Sequence, residues 1–180
     1  MSSSIRIQDL QFTELLTSEN IRQRVGEIAM ALDEKFKGVD SIVTIIILKG
    51  AFVFASDLIR HMQTPMLIDM VKASSYLGGT VSSGTVSLSS FDADYTGKHV
   101  LIIEDIIDSG RTIHALLDAL DQQNIASCTI TALCSKPSQH DIEISQECIG
   151  FELPPVFIIG YGLDYKEMGR ELPGIWQCID

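Results

Sequence analysis

The hydrophobic and polar positions along this chain predict strands that alternate with helices. Apolar residues recur at three- and four-residue spacing over 17–38 and over 51–61, which is the spacing of an amphipathic helix. Short and mostly apolar runs, typical of strands covered on both faces, occur at 41–48, 66–72, 100–104, 128–134 and 156–160. This alternation predicts an α/β fold with a mostly parallel sheet, whose strands end at one ligand-binding crevice.

Composition and charge narrow the class of protein. The 180 residues are 46% hydrophobic and 21% charged, as expected of one globular domain spanning 1–180. The apolar runs are far shorter than the roughly 20 residues that span a bilayer, and residues 1–6 lack the apolar core of a secretory signal. We therefore expect a cytoplasmic protein that does not bind membranes. The net charge of −11 argues against a general nucleic-acid binder, because such binding depends on clustered Lys and Arg.

The four cysteines and four histidines carry no metal-site signal. No C-x-x-C pair is present, and the histidines lack metal-ligand spacing. Structural thiols and ordinary surface or core histidines are the expectation.

The segment 100–112 carries the clearest chemical signal. Its apolar strand pattern ends in the adjacent acids Glu104 and Asp105. Such acids suit a hydrated Mg²⁺ or the two hydroxyls of a ribose. Taken alone, they could equally be ordinary charges at the end of a strand.

The loop that follows has the composition of a phosphate cradle. Asp108, Ser109 and Gly110 precede a helical pattern that begins near Thr112. A helix N-terminus leaves about four amides unpaired and carries a partial positive charge, so it binds phosphate readily. Glycine lets the backbone approach a ligand, and the two hydroxyls add donors. The alternative is that Asp108 or Ser109 merely caps the helix.

One long segment, 74–85, is rich in Gly, Ser and Thr. It could be a solvated connection between strands. Its length and its position after a strand indicate a mobile lid instead.

Two segments resemble one known family. The segment 100–112 resembles the phosphoribosyl pyrophosphate signature of the purine phosphoribosyltransferases, and of the hypoxanthine-guanine members in particular. The closing segment 157–165, Phe-Ile-Ile-Gly-Tyr-Gly-Leu-Asp-Tyr, resembles the same family, and the likeness extends over essentially the whole chain. It implies the type I phosphoribosyltransferase fold: a central, mostly parallel twisted sheet flanked by helices, with a small hood and a flexible lid loop. Neither the dinucleotide-binding G-x-G-x-x-G spacing nor the Walker G-K-[ST] spacing is present.

The resemblance implies how phosphoribosyl pyrophosphate is bound. Glu104 and Asp105 hold the ribose hydroxyls and Mg²⁺. The 5′-phosphate lies in the loop formed by Asp108, Ser109, Gly110, Arg111 and Thr112, in which the family varies the position of Arg111.

The pyrophosphate is assigned, by the same resemblance, to Lys49, Gly50 and Arg170. Taken alone, Lys49 is an ordinary solvated charge at the end of a strand. The family often has a non-proline cis peptide at this point, so we expect one here. Placed cations, helix ends and Mg²⁺ would have to offset the acidity of the chain when it binds a polyanion.

The purine site is also implied by the resemblance. Lys136 donates to the 6-oxo group, which favours an oxopurine because an adenine amino group would need an acceptor instead. Phe157 stacks on the base, and backbone groups near Ile158 and Asp164 read its edge. Without the resemblance, Lys136 is a strand-end charge and Phe157 a core aromatic.

The remaining implied roles concern catalysis. Asp108 is the candidate base for the proton on purine N7, Asp164 helps to hold a second Mg²⁺ through water, and Ser75 and Tyr76 belong to the lid.

The expected activity is purine salvage: transfer of the phosphoribosyl group to hypoxanthine, and to guanine, which the sequence does not rank against each other. We also expect a homodimer or homotetramer. Three alternatives remain: an RNA-binding regulator on the same fold, a nucleotide-binding subunit without catalysis, and the same reaction with another base.

Overall fold

The computed structural model describes residues 4–75, 86–89, 91, 94–144 and 148–180 of the chain. In chain order, its elements are β1 (Ser4–Ile7), β2 (Leu10–Leu16), α1 (Ser18–Lys35), β3 (Ile42–Leu48), α2 (Phe52–His61), β4 (Met66–Ser75), β5 (Val86–Leu88), β6 (His99–Ile107), α3 (Arg111–Asp121), β7 (Ser127–Ser135), β8 (Cys148–Glu152), β9 (Ile158–Ile159) and β10 (Ile175–Cys178).

A six-stranded sheet in the order β5-β4-β3-β6-β7-β8 forms the centre of the fold. All its pairs are parallel except β4 with β5, which is antiparallel. Ile46 on β3 lies opposite Met70 on β4 and Ile103 on β6. The predicted parallel sheet is confirmed, and the carboxyl ends of β3, β6 and β7 meet at one edge.

Helices cover both faces of this sheet at its central strands, which explains why β3 is apolar along nearly its whole length. On β3, Ile42 and Ile46 pack in a core with α1 and α2, whereas Val43, Ile45 and Ile47 pack in the core that holds α3. Successive strand side chains point to opposite faces, so a strand buried on both sides loses the alternating pattern. Within the described part of the chain, no helix is both long and apolar enough to cross a membrane.

The helix α1 begins where the sequence predicts. Thr17 and Asn20 form a reciprocal capping box at its start, and the helix ends at Lys35, before Gly38 with its positive φ of 84°. Arg24 reaches across to the carbonyls of Ile149 and Gly150 at 2.8 and 2.9 Å, which fastens α1 to the edge strand β8.

The segment 156–160 was predicted to be part of the parallel sheet, and this is wrong. Only Ile158–Ile159 forms a strand, and it pairs antiparallel with β10 in a second sheet of order β1-β2-β10-β9. We call this second sheet the hood, as the resemblance implied. The hood combines strands from both ends of the chain, and β9 pairs with β10 near the C-terminus. The local apolar pattern of 156–160 could not reveal this pairing.

The strand predicted at 100–104 is longer than expected. It runs to Ile107, because Ile106 and Ile107 continue the ladder opposite Cys134 and Ser135. Glu104 and Asp105 therefore lie within the strand rather than at its end. Ser75, which was assigned to the lid, is the last residue of β4. The rest of the predicted lid, Tyr76 and residues 77–85, lies outside the described residues.

Candidate active site

The loop before α3 has the geometry of an anion cradle. Gly110 takes the N-cap position with φ 84°, and the described residues offer no side-chain cap there, so the capping role considered for Asp108 and Ser109 is not seen. The Arg111 amide donates to Ser109 Oγ only at 3.4 Å. The first hydrogen bond of the helix runs from His114 N to Gly110 O at 3.0 Å, so the amides of 111–113 precede the helical ladder.

A small cavity of about 80 Å³ opens at this loop. It is lined by Glu104, Ile106, Ile107, Asp108, Ser109, Gly110, Thr112 and Ile113. A pocket that combines helix-start amides with hydroxyl groups suits a phosphate.

Neighbouring residues fix the loop in place. The φ of 84° at Gly110 favours glycine, and a methyl group there would also lie 2.5 Å from Ile144 Cδ1, so the end of the Ile144 side chain would have to move. Arg111, whose side chain was an open question, forms an ion pair with Asp141 at 2.6 Å, and the Asp141 amide donates to Ser109 O at 3.1 Å.

The acid pair on β6 is unequal. Glu104 is only 7% exposed, and its Oε2 has no hydrogen-bond partner among the described residues. Burial, and then the negative charge of Asp105, raise the pKa of Glu104 well above its ordinary value. Asp105 is half-buried and accepts from the Ile106 amide at 2.8 Å.

The loop after β3 reaches this acid pair. A methyl group at Gly50 would lie 1.4 Å from Asp105 Oδ2, so the bare backbone of Gly50 borders the carboxylate. The Leu48–Lys49 peptide bond is cis, as the resemblance implied. Lys49 Nζ lies 2.8 Å from Glu167 Oε2, a contact that sequence reasoning missed.

Arg170 lies beside the same loop but is already engaged. Its Nη1 donates to Gly162 O at 2.8 Å, and its Nη2 lies 2.6 Å from Asp164 Oδ1 and 3.5 Å from Glu167 Oε2. Gly162, at φ 103°, packs so closely on Gly50 that a methyl group there would lie 2.1 Å from Gly50 O. The two cations assigned to pyrophosphate therefore share one acid, Glu167.

Asp108 and Lys136 lie side by side at the ends of β6 and β7. The Lys136 amide donates to Ile107 O at 2.9 Å, and Lys136 Nζ lies 3.4 Å from Asp108 Oδ2. The lysine is buried, whereas about half of the Asp108 side chain is exposed. The buried Lys136 amino group and the accessible Asp108 carboxylate can contact two neighbouring atoms of one ligand.

Phe157 is not the core residue that its type alone suggests. It is 45% exposed, and its ring packs against Phe12 and Tyr165 with centroids 6.2 and 5.7 Å apart. Such a ring, supported on one side, can stack on a planar ligand. Ile158 is buried and pairs with Gln177, while Asp164 also accepts from the Glu167 amide at 2.8 Å.

A larger groove of about 640 Å³ lies elsewhere, between α1, α2 and the segment 170–173. It touches Arg170 but includes neither the acid pair Glu104 and Asp105 nor the loop 108–112 before α3, which we call the phosphate loop. The acid Glu104 and the loop before α3 line the smaller cavity at the strand ends instead.

Comparison with known proteins assigns this architecture. The model of the phosphoribosyl transferase domain matches residues 11–166. The chain belongs to the phosphoribosyltransferase family. The family membership and the α/β fold predicted from the sequence are thereby confirmed.

Two relatives and one solved structure in the family are hypoxanthine or hypoxanthine-guanine phosphoribosyltransferases. The hypoxanthine phosphoribosyltransferase of Haemophilus influenzae is 37% identical, over 92% of this chain and 95% of the relative. The hypoxanthine-guanine phosphoribosyltransferase of Bacillus subtilis is 40% identical, over 89% of each chain. The crystal structure of a hypoxanthine-guanine phosphoribosyltransferase from Bacillus anthracis superposes with a TM-score of 0.86 at 39% identity, covering 96% of this chain and 99% of that one.

Proposed function

We propose that this phosphoribosyltransferase is a purine salvage enzyme that transfers the 5-phosphoribosyl group of phosphoribosyl pyrophosphate to N9 of hypoxanthine, and of guanine. The products are IMP or GMP and pyrophosphate. The observation that carries the proposal is the pairing of Lys136 with Asp108 beside the phosphate loop. The names of the relatives support the same activity.

The phosphate loop binds the 5′-phosphate. Amides at the start of α3, with the hydroxyls of Ser109 and Thr112, donate to its oxygens, and each charge-assisted contact contributes about 1.5–3 kcal/mol. Within the described structure no side chain caps α3 at Gly110, and the Arg111 amide makes only a long contact of 3.4 Å with Ser109 Oγ.

Glu104 and Asp105 fit a magnesium ion that arrives with the substrate. No cluster of three or more metal-ligating side chains occurs among the residues that the structure describes. Mg²⁺ usually takes one or two carboxylates and completes its shell with water and substrate phosphates. The unpartnered Glu104 Oε2, next to Asp105, matches that requirement. When bound, the ion would neutralise charge on the pyrophosphate, while Asp105 orients the ribose hydroxyls.

Asp108 and Lys136 act on the purine. Lys136 donates to the 6-oxo group, and Asp108 accepts the N7 proton as N9 forms the new bond to ribose. A positioned base typically contributes about 10²–10⁴-fold. The nearby carboxylates favour the positive charge that develops on the ribose carbon as pyrophosphate leaves.

Assembly into a homodimer or homotetramer is a further part of the proposal. On β4, next to the short edge strand β5, Leu67, Ile68 and Met70 are 60%, 48% and 55% exposed, which supports self-association. Light scattering on the protein as it elutes from a size-exclusion column would give its mass directly. A monomer at micromolar concentration would contradict the proposed assembly.

The activity is tested by incubating the protein with phosphoribosyl pyrophosphate and Mg²⁺ and, in parallel, hypoxanthine, guanine, xanthine or adenine. Nucleotide from the 6-oxopurines but not from adenine is the expected result. Binding of phosphoribosyl pyrophosphate without turnover of any base would instead identify a regulator or a nucleotide-binding subunit.

The base is tested by Asp108→Asn, which keeps the shape of the side chain but cannot take a proton. We expect turnover with hypoxanthine to fall about 10²–10⁴-fold. Asp118→Asn, on the exposed part of α3, is the matched control. Full turnover by Asp108→Asn would remove the residue from this role.

A further inference from the structure

The turn 165–168 places an acid where the proposed reaction needs positive charge. Glu167 Oε2 lies 2.8 Å from Lys49 Nζ and 3.5 Å from Arg170 Nη2. Lys49 and Arg170 are the two side chains assigned above to the pyrophosphate. The Glu167 carboxylate therefore contacts the same two side chains to which an anion would be expected to bind.

The backbone of this turn holds Glu167 in an uncommon conformation. Lys166 and Glu167 both have positive φ, 51° and 64°, and Tyr165 and Met168 exchange hydrogen bonds of 2.9 and 3.0 Å on either side. Two left-handed residues between paired neighbours are the pattern of a type I′ turn, which favours Asn-Gly. Lysine and glutamate adopt this left-handed conformation at a cost in free energy. Residues in such conformations persist where contacts with the surrounding structure hold them in place.

Contacts on the other side of the turn fix its orientation. Lys166 Nζ and Tyr165 Oη lie 2.8 and 3.1 Å from Asp9 Oδ1 in the connection between β1 and β2. The Glu167 amide donates to Asp164 Oδ2 at 2.8 Å. With the turn anchored to the hood, the carboxylate of Glu167 is directed at Lys49, and it remains well exposed and free to move.

We propose that Glu167 is a resident counter-ion of the pyrophosphate subsite, which occupies Lys49 and Arg170 in the empty enzyme and yields them to the pyrophosphate group. This inference rests on the proposed function, because it takes the subsite from there. The carboxylate competes with the incoming anion, so it weakens the binding of phosphoribosyl pyrophosphate and favours the release of the pyrophosphate product. Glu167 is a positioning residue that touches the binding side chains.

The test compares neutral replacements of Glu167 with a matched control. Glu167→Gln keeps the size of the side chain, and Glu167→Asn provides a second neutral residue that tolerates a left-handed backbone. Glu171→Gln removes the same charge four residues later, on an exposed residue that forms no ion pair with Lys49 or Arg170 in the described structure. For each variant we would measure the KM for phosphoribosyl pyrophosphate, the KM for hypoxanthine, and the inhibition constant of inorganic pyrophosphate with Mg²⁺.

Exposed ion pairs are weak, so both Glu167 variants are expected to lower the KM for phosphoribosyl pyrophosphate and the inhibition constant of pyrophosphate about two- to fivefold. The KM for hypoxanthine and the Glu171→Gln values should not change. Unchanged or weakened pyrophosphate binding in a folded Glu167 variant would overturn the proposal, since it would show that the acid is neutral or helps binding.

A direct titration separates this inference from the proposed function. Calorimetry with inorganic pyrophosphate and Mg²⁺ needs no turnover. If the wild type forms no nucleotide, the proposed function fails, yet tighter pyrophosphate binding by Glu167→Gln than by the wild type would still support the counter-ion. Equal affinities would overturn it. Thermal unfolding of each variant confirms that the compared proteins are folded.

Discussion

Lys136 Nζ lies 3.4 Å from Asp108 Oδ2, and the two residues directly follow neighbouring parallel strands. The backbone secures this arrangement, because the Lys136 amide donates to Ile107 O at 2.9 Å. A side-chain ion pair thus rests on a main-chain hydrogen bond that extends the ladder between β6 and β7. The backbone therefore brings the donor and the acid together without a bound base.

Replacement of Lys136 by Met should selectively weaken the binding of the base. The loss of a charge-assisted donor to the 6-oxo group costs about 1.5–3 kcal/mol, which corresponds to a rise of about ten- to hundredfold in the KM for hypoxanthine. The KM for phosphoribosyl pyrophosphate should change little. Steady-state kinetics with each substrate varied in turn measures both, with Lys37→Met at the exposed end of α1 as control. Equal rises in the two KM values would indicate a general disturbance of the site.

Glu104→Gln should stabilise the protein while it damages the reaction. The buried Oε2 has no partner, and burial together with Asp105 disfavours its charge, which is why the pKa of Glu104 is raised. Glutamine carries no charge there, and its amide group can donate to the neighbouring Asp105 carboxylate, which gains about 1 kcal/mol; each kcal/mol raises the melting temperature of a domain of this size by about 2–4 °C. Scanning calorimetry without ligand measures the shift, and Glu171→Gln, at an exposed acid, should leave the melting temperature nearly unchanged. A lower melting temperature in Glu104→Gln would show that the carboxylate is satisfied in solution.

Gly50→Ala should impair the binding of phosphoribosyl pyrophosphate. The new methyl group would lie 1.4 Å from Asp105 Oδ2, so Asp105 or the loop after β3 must move. We expect a higher KM for phosphoribosyl pyrophosphate and a smaller effect on the KM for hypoxanthine, read from initial rates. Gly26→Ala is the contrasting control: it meets no atom within 4 Å in α1 and should stabilise the helix by about 0.5–1 kcal/mol. Wild-type kinetics in Gly50→Ala would mean that this border is not part of the site.

Tyr161→Phe should reduce stability in a pH-dependent way. Tyr161 is buried and donates to Asp57 Oδ2 at 2.6 Å, and the loss of a hydrogen bond to a charged group costs about 1.5–3 kcal/mol. Burial, and then Asp57, raise the pKa of Tyr161 above its ordinary value. The tyrosine contribution is therefore complete below the unfolded pKa of about 10 and is lost as the pH rises further. Urea unfolding should show a constant deficit from pH 6 to 9 that shrinks above pH 10.

The control for this prediction is Tyr165→Phe, which removes a hydroxyl contact to Asp9 in an exposed setting. A deficit of equal size in both variants would show that the buried hydrogen bond from Tyr161 to Asp57 contributes no more than the exposed contact of Tyr165.

Local patterns were sufficient to predict much of this fold. The apolar run of β3 and the helical spacing of α1 are short-range features, and both elements begin within one residue of the predicted position. The end of β6 was missed because Ile106 and Ile107 read equally well as the start of a loop. Only their partners Cys134 and Ser135 extend the strand.

The site was predicted in its residue types more than in its contacts. Asp108 and Lys136 were both candidates, but their proximity depends on the register of β6 with β7. Glu167 carried no sequence signal, because its contact with Lys49 spans the distance between the loop after β3 and the hood. The burial of Glu104 likewise follows from the unforeseen length of its strand.

The backbone contact between Gly162 and Gly50 O sets a limit on how the specificity of this enzyme can be altered. The segment proposed to hold the base and the loop assigned to the leaving group share a boundary without side chains, so they are not separable modules. Engineering that reshapes the segment around Gly162 for a different base would shift the loop proposed to hold pyrophosphate. Variants selected for a new base should therefore acquire compensating changes near residues 49–53, and libraries that randomise both segments together should succeed more often than libraries confined to one.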